Sequence, residues 1–116
     1  MSLVEDDPTV LELLAELLQQ HGHDPRPVLI QMGDTVASAL DRLAAESSPV
    51  VLLDLGMPVP GADLLEAARR DPRFAKTRFV IATAGFDAHL PSLPGVRRIA
   101  KPYEVPELLS VLTGSG

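Results

Sequence analysis

The sequence predicts an α/β domain built on a five-stranded parallel sheet with helices on both faces. Three observations predict it. Short apolar runs at 3–4, 28–30, 50–53, 79–82 and 96–100 alternate with stretches whose apolar residues recur at helical spacing. The run Val50-Val51-Leu52-Leu53 is continuously apolar, as expected of a strand buried on both faces. Eleven prolines fall almost entirely between these segments, where they act as punctuation. Five strands in 116 residues fit a flavodoxin-like doubly wound sheet of order 2-1-3-4-5.

Each element has its own local signals. Leu3-Val4 closes the first strand. Asp7 is a good helix N-cap, and Pro8 suits the first helical turn, where its missing N–H costs nothing. Val10, Leu13, Leu14, Leu17 and Leu18 follow at helical spacing until Gly22. After the Val28-Leu29-Ile30 strand, Asp34 or Thr35 caps a helix with Val36, Ala39, Leu40 and Leu43 inward. The third strand ends at Asp54. Gly61 or Ala62 opens a helix carrying Leu64, Leu65 and Ala68, stopped by Asp71-Pro72. Phe79 to Ala82 is a strand ending at Thr83. Val96 to Ala100 is a strand interrupted by Arg97-Arg98, and Glu104 to Leu112 is the last helix.

Composition removes several function classes. There is no cysteine, which excludes disulfides, thiolate metal sites and cysteine nucleophiles. A net charge of −6 argues against nucleic-acid binding and anionic membrane surfaces. No apolar run approaches the roughly 20 residues of a membrane span, and no leader opens the chain, so a cytoplasmic protein without membrane insertion is expected.

In doubly wound sheets the ligand site lies at the carboxyl ends of the strands. There the sequence puts Glu5, Asp6 and Asp7 after strand 1, Asp54 after strand 3, Thr83 after strand 4 and Lys101-Pro102 after strand 5. Carboxylates about 4 Å apart repel by roughly 4 kcal/mol per pair at an effective dielectric of about 20. A divalent cation relieves that, and all-oxygen ligands favour Mg²⁺ or Mn²⁺. A metal, an ammonium and a hydroxyl around one carboxylate form a receptor for a phosphoryl group in transfer, with the central Asp as nucleophile.

The chain resembles the receiver domains of two-component response regulators, the CheY-like superfamily known from bacterial signalling. The matching pieces are Leu3-Val4-Glu5-Asp6-Asp7-Pro8, Val51 to Pro58, Thr83-Ala84 and Lys101-Pro102. The resemblance covers 1–113, leaving 114–116 as a tail or the start of a linker. It implies that Asp54 accepts a phosphoryl group from a phosphohistidine on a sensor histidine kinase or histidine phosphotransfer protein. It further implies Asp6 and Asp54 as Mg²⁺ ligands, the Gly56 carbonyl as a third, and Glu5 acting through a metal-bound water. Thr83 and Lys101 then hold the phosphoryl oxygens, Pro58 and Pro102 support the loops, and a downstream protein or effector domain reads the switched surface.

Three departures from that pattern stand out. Gly61 follows Asp54 by seven residues, one short of the usual spacing. Between Thr83 and Lys101 the chain is shorter than usual, and its Gly85, Pro91, Pro94 and Gly95 leave the fourth helix shortened or missing, with at most one turn around Asp87 to Leu90. Arg98 stands three before Lys101, where the family often has an aromatic switch residue. A rebuilt output face is therefore expected, one that does not use the common dimer of the fourth helix, fifth strand and fifth helix.

Two other functions compete. A haloacid-dehalogenase-type phosphohydrolase needs a second Asp two residues after the nucleophile, and Gly56 stands there. A degenerate receiver would act as a phosphorylation-independent interaction module. His21, His23 and His89 invite a metal reading, but His21 and His23 stand two apart at a helix end with no third ligand placed for them and read as solvated side chains favoured by the helix dipole.

Overall fold

The computed structural model describes residues 1–54, 61–83, 96–100 and 104–113. The strands are β1 (Ser2–Glu5), β2 (Arg26–Leu29), β3 (Val50–Asp54), β4 (Arg78–Thr83) and β5 (Val96–Ala100). The helices are α1 (Pro8–Gln20), α2 (Val36–Glu46), α3 (Gly61–Arg70) and α4 (Val105–Thr113). All strands pair in parallel, in the order β2-β1-β3-β4-β5. This is the flavodoxin-like order expected from the sequence. The fourth-helix question falls on 84–95, outside the described residues, as do Gly85, His89 and the tail 114–116.

Alternation along the strands builds two cores. On one face Val4, Val28, Val51, Leu53, Phe79 and Ile81 pack with Ala39 and Leu43 of α2 and Leu64, Leu65 and Ala68 of α3. On the other, Leu3, Leu52, Val80, Ala82 and Ile99 pack with Leu11 and Leu18 of α1 and Leu108 and Leu112 of α4. Successive side chains point to opposite faces, so one apolar strand feeds both layers. That is why β3 reads as an unbroken apolar run.

The helix ends follow from capping chemistry. The Asp7 carboxylate accepts the N–H of Thr9 at 2.9 Å and of Val10 at 3.5 Å, and Pro8 occupies the first turn. At the other end Gly22 takes φ +83°, and the N–H groups of Gly22 and His23 donate to the carbonyls of Gln19 and Leu18, both at 3.0 Å. Thr35, not Asp34, is the N-cap of α2, in a reciprocal bond pair with Ser38. Asp34 instead closes its own loop, accepting the N–H of Gln31 at 2.8 Å.

Two details differ from the sequence reading. β2 starts at Arg26, because the Arg26 N–H donates to Met1 O at 2.7 Å and extends the ladder beyond the apolar run. Pro27 is tolerated because β2 is an edge strand. Arg26 and Ile30 donate into β1 at 2.7 and 2.9 Å, which puts Pro27 on the outer side, where no partner needs its N–H. Second, Asp71 does more than stop α3. Its carboxylate accepts the Arg73 N–H at 2.9 Å and caps a 3₁₀ turn, Pro72–Phe74, that delivers Phe74 into the core against Phe79 at 6.1 Å between ring centroids.

Candidate functional site

Strand register determines which residues meet at the carboxyl edge of the sheet. β1 and β3 pair through Val4 and Leu53, so Glu5 and Asp54 are the next residues on neighbouring strands. Asp54 pairs with Ala82 of β4, and Thr83 follows at once. Thr83 pairs with Ala100 of β5, the residue before Lys101. The backbone thus gathers Glu5, Asp6, Asp54 and Thr83 at one edge. Gly56, Pro58, Lys101 and Pro102 lie outside the described residues.

The three acids after β1 have different surroundings. Glu5 is buried at 6% exposure, and its Oε1 accepts the N–H of Asp6 at 3.1 Å and of Asp7 at 3.4 Å. These two amides hold the carboxylate over the start of the β1–α1 turn and compensate its burial. Asp6 is half-buried between them. Asp7 is exposed, and its carboxylate is used by the α1 N-terminus. Only Glu5 and Asp6 of this triplet are therefore available at the edge. Among the described residues no group of three or more His, Cys, Asp and Glu stands together as a metal cluster by itself. Glu5, Asp6 and Asp54 carry only oxygen donors, the ligand type that a small hard cation takes.

Arg98 lies in β5, exposed, in register with buried Ile81. A guanidinium at this position keeps to the surface instead of filling an apolar slot. Arg97 is exposed as well, so this strand carries charge on both faces.

Three polar contacts were not legible in the sequence. Arg78, the first residue of β4, donates to the carbonyls of Val111 at 3.1 Å and Leu112 at 3.4 Å, tying β4 to the end of α4. Arg42 donates to Leu29 O at 2.6 Å and to Asp34 at 3.1 Å, bridging β2 and α2. Arg73 bonds Asp71 at 2.7 Å and Asp41 of α2 at 3.1 Å. The arginines themselves were the available cue, but the partner of each is set by tertiary placement.

No family model and no curated protein matches the sequence. Solved structures do. The receiver domain protein (CheY-like) from Methanospirillum hungatei JF-1 is 27% identical, with TM-score 0.77 over 98% of this chain and 90% of its own. A sensor protein from Polaromonas sp. JS666 is also 27% identical, with TM-score 0.78 over 97% and 92%. The complex of histidine kinase ThkA with response regulator protein TrrA matches at 22% identity and TM-score 0.75, over 97% of this chain and 94% of the matched one. Over nearly its whole length, the chain has the fold of the CheY-like response regulator receiver domains.

Proposed function

We propose that this chain is a phosphoaccepting receiver domain of two-component signalling, occupying residues 1–113. The observation that carries the reading is the register that brings Glu5, Asp54 and Thr83 to one sheet edge in a receiver fold. In the proposed reaction an Asp54 carboxylate oxygen attacks the phosphorus of a partner phosphohistidine. The P–N bond breaks and its electron pair leaves with the imidazole nitrogen, which takes up a proton. The product is an aspartyl phosphate.

Asp6, Asp54 and the Gly56 carbonyl would hold Mg²⁺, with Mn²⁺ as a substitute and Glu5 acting through water. The cation would supply charge neutralisation for the phosphoryl oxygens. Lys101 provides a fixed positive charge, and the Thr83 hydroxyl donates to the phosphoryl group. Glu5 is already anchored by two backbone amides, so it can orient a water without moving.

The proposed phosphodonor is a sensor histidine kinase or histidine phosphotransfer protein, and a kinase–regulator complex is among the fold's neighbours. The surface of α1 beside the acidic edge exposes Val10 and Leu13, the latter at 61%, and offers such a partner an apolar contact. Gly56 lacks the carboxylate that a dehalogenase-type hydrolase needs, which supports a switch over a phosphatase. The reading places the protein in the cytoplasm, with a protein or effector domain downstream. Among the described residues no helix is long and apolar enough to cross a membrane.

The test is intact-mass spectrometry after incubation with Mg²⁺ and acetyl phosphate. A gain of about 80 Da, abolished by chelation of the metal and by Asp54→Ala, is expected. No adduct on the wild-type chain would favour the phosphorylation-independent interaction module.

A further inference from the structure

The charge of this chain is distributed unevenly. Residues 69–78 hold five of the ten Lys and Arg against one acid, Asp71, a local charge of +4 in a chain of −6. This segment runs from the last turn of α3 through the 3₁₀ turn to the start of β4. It therefore occupies the amino edge of the sheet, opposite the acidic carboxyl edge.

Beside it lies a groove of about 390 Å³ between the end of α2 and the turn before β4. Ala44, Pro49, Pro72 and Phe74 contribute its apolar surface. Ser47, Thr77 and Lys76 supply the polar groups. The two walls are joined where the Arg78 N–H donates to Pro49 O at 2.9 Å, so the groove is framed by fixed backbone.

The cations of the segment are committed to different degrees. Arg78 is used on α4, Arg70 pairs with Glu66 at 2.6 Å, and Arg73 pairs with Asp71 and Asp41. The Arg73–Asp41 pair is exposed on both sides, at 47% and 72%, so it exchanges readily for another carboxylate. Arg69 and Lys76 are exposed and make no ion pair among the described residues.

We propose that this groove is a docking site for an acidic protein segment carrying apolar side chains. Carboxylates of the segment meet Lys76 and the exposed side of Arg73, which line the groove, Arg69 in the last turn of α3 adds to the positive field of this pole, and an apolar side chain enters between Pro49, Pro72 and Ala44. The rest of the chain is net acidic and repels such a segment, which steers it to this pole. The site stands at the opposite sheet edge from Asp54, so it can be filled while a phosphodonor occupies the acidic end. It is independent of the phosphoacceptor reading.

The experiment is fluorescence anisotropy with a labelled peptide of alternating Glu and Leu, titrated with the full chain. The variant is Arg69→Glu/Lys76→Glu, whose side chains are exposed and whose fold is checked by circular dichroism. Saturable binding is expected, weakened by added salt and roughly tenfold weaker in the variant. A Lys/Leu peptide of the same length should not compete for the groove, and Ala44→Glu should weaken binding by closing it to acids. Absence of saturable binding overturns the proposal, as does binding that the charge reversal leaves unchanged.

Discussion

Asp54 and Ala82 are register partners at the carboxyl ends of β3 and β4. That pairing decides what stands next to the proposed phosphoacceptor. Thr83 is the first residue past Asp54's level on β4, and Glu5 is at that level on β1. A slip of one residue in either ladder would turn the core residues of β3 and β4 to the other face, so the packing of Leu53 and Ile81 in one core and Leu52 and Val80 in the other holds this backbone register.

Asp6 and Asp7 are adjacent but are expected to fail differently. Asp7→Ala removes the α1 cap and should cost about 1 kcal/mol, lowering Tm by a few degrees, with phosphorylation retained. Asp6→Asn should leave Tm nearly unchanged and weaken Mg²⁺ binding. Thermal unfolding with calorimetric Mg²⁺ titration of both variants checks this. Loss of Mg²⁺ binding in Asp7→Ala would reverse the assignment.

Phe74 is a core residue reached through a capped turn. Phe74→Ala empties a site at 7% exposure beside Phe79 and should cost about 3 to 4 kcal/mol in urea unfolding. Asp71→Asn should produce part of this loss by loosening the turn that delivers the ring.

Arg78 joins the start of β4 to the last turn of α4. Arg78→Met keeps the aliphatic stem and removes both bonds to the Val111 and Leu112 carbonyls. A destabilisation of about 1 to 2 kcal/mol is expected. Hydrogen exchange should quicken most in α4.

Two partly buried carboxyls should make the fold acid-sensitive. The Gln31 backbone N–H, then Ser38 and Arg42, hold Asp34 below its ordinary 3.8. The Arg73 guanidinium and its backbone N–H do the same for Asp71. A folded-state value below the unfolded one means that this stability is present above about pH 4 and is lost as pH falls through the depressed values. Urea midpoints between pH 6 and pH 2 should therefore fall less steeply in Asp34→Asn and Asp71→Asn.

Much of this was legible in the sequence for physical reasons. The unbroken Val50 to Leu53 run required burial on two faces, and it is the central strand. Asp7-Pro8 and Gly22 marked α1 because caps are local chemistry. Glu5, Asp54 and Thr83 could be expected at one sheet edge because strand order brings their backbones there. What escaped was tertiary. Nothing local told that Glu5 would be buried on two amides, that Thr35 and not Asp34 would cap α2, or that Arg78 would reach the end of α4. Pro27 inside a strand was hidden until the edge position of β2 explained it.

The most direct measurement is to locate the phosphoryl group chemically. After phosphorylation with Mg²⁺ and acetyl phosphate, borohydride reduction converts an aspartyl phosphate to homoserine, which peptide mass spectrometry assigns to a position. Homoserine at position 54 alone, absent without Mg²⁺, is the predicted result. A phosphoryl group on another carboxylate, on a hydroxyl or on a histidine, with position 54 unmodified, would contradict the account.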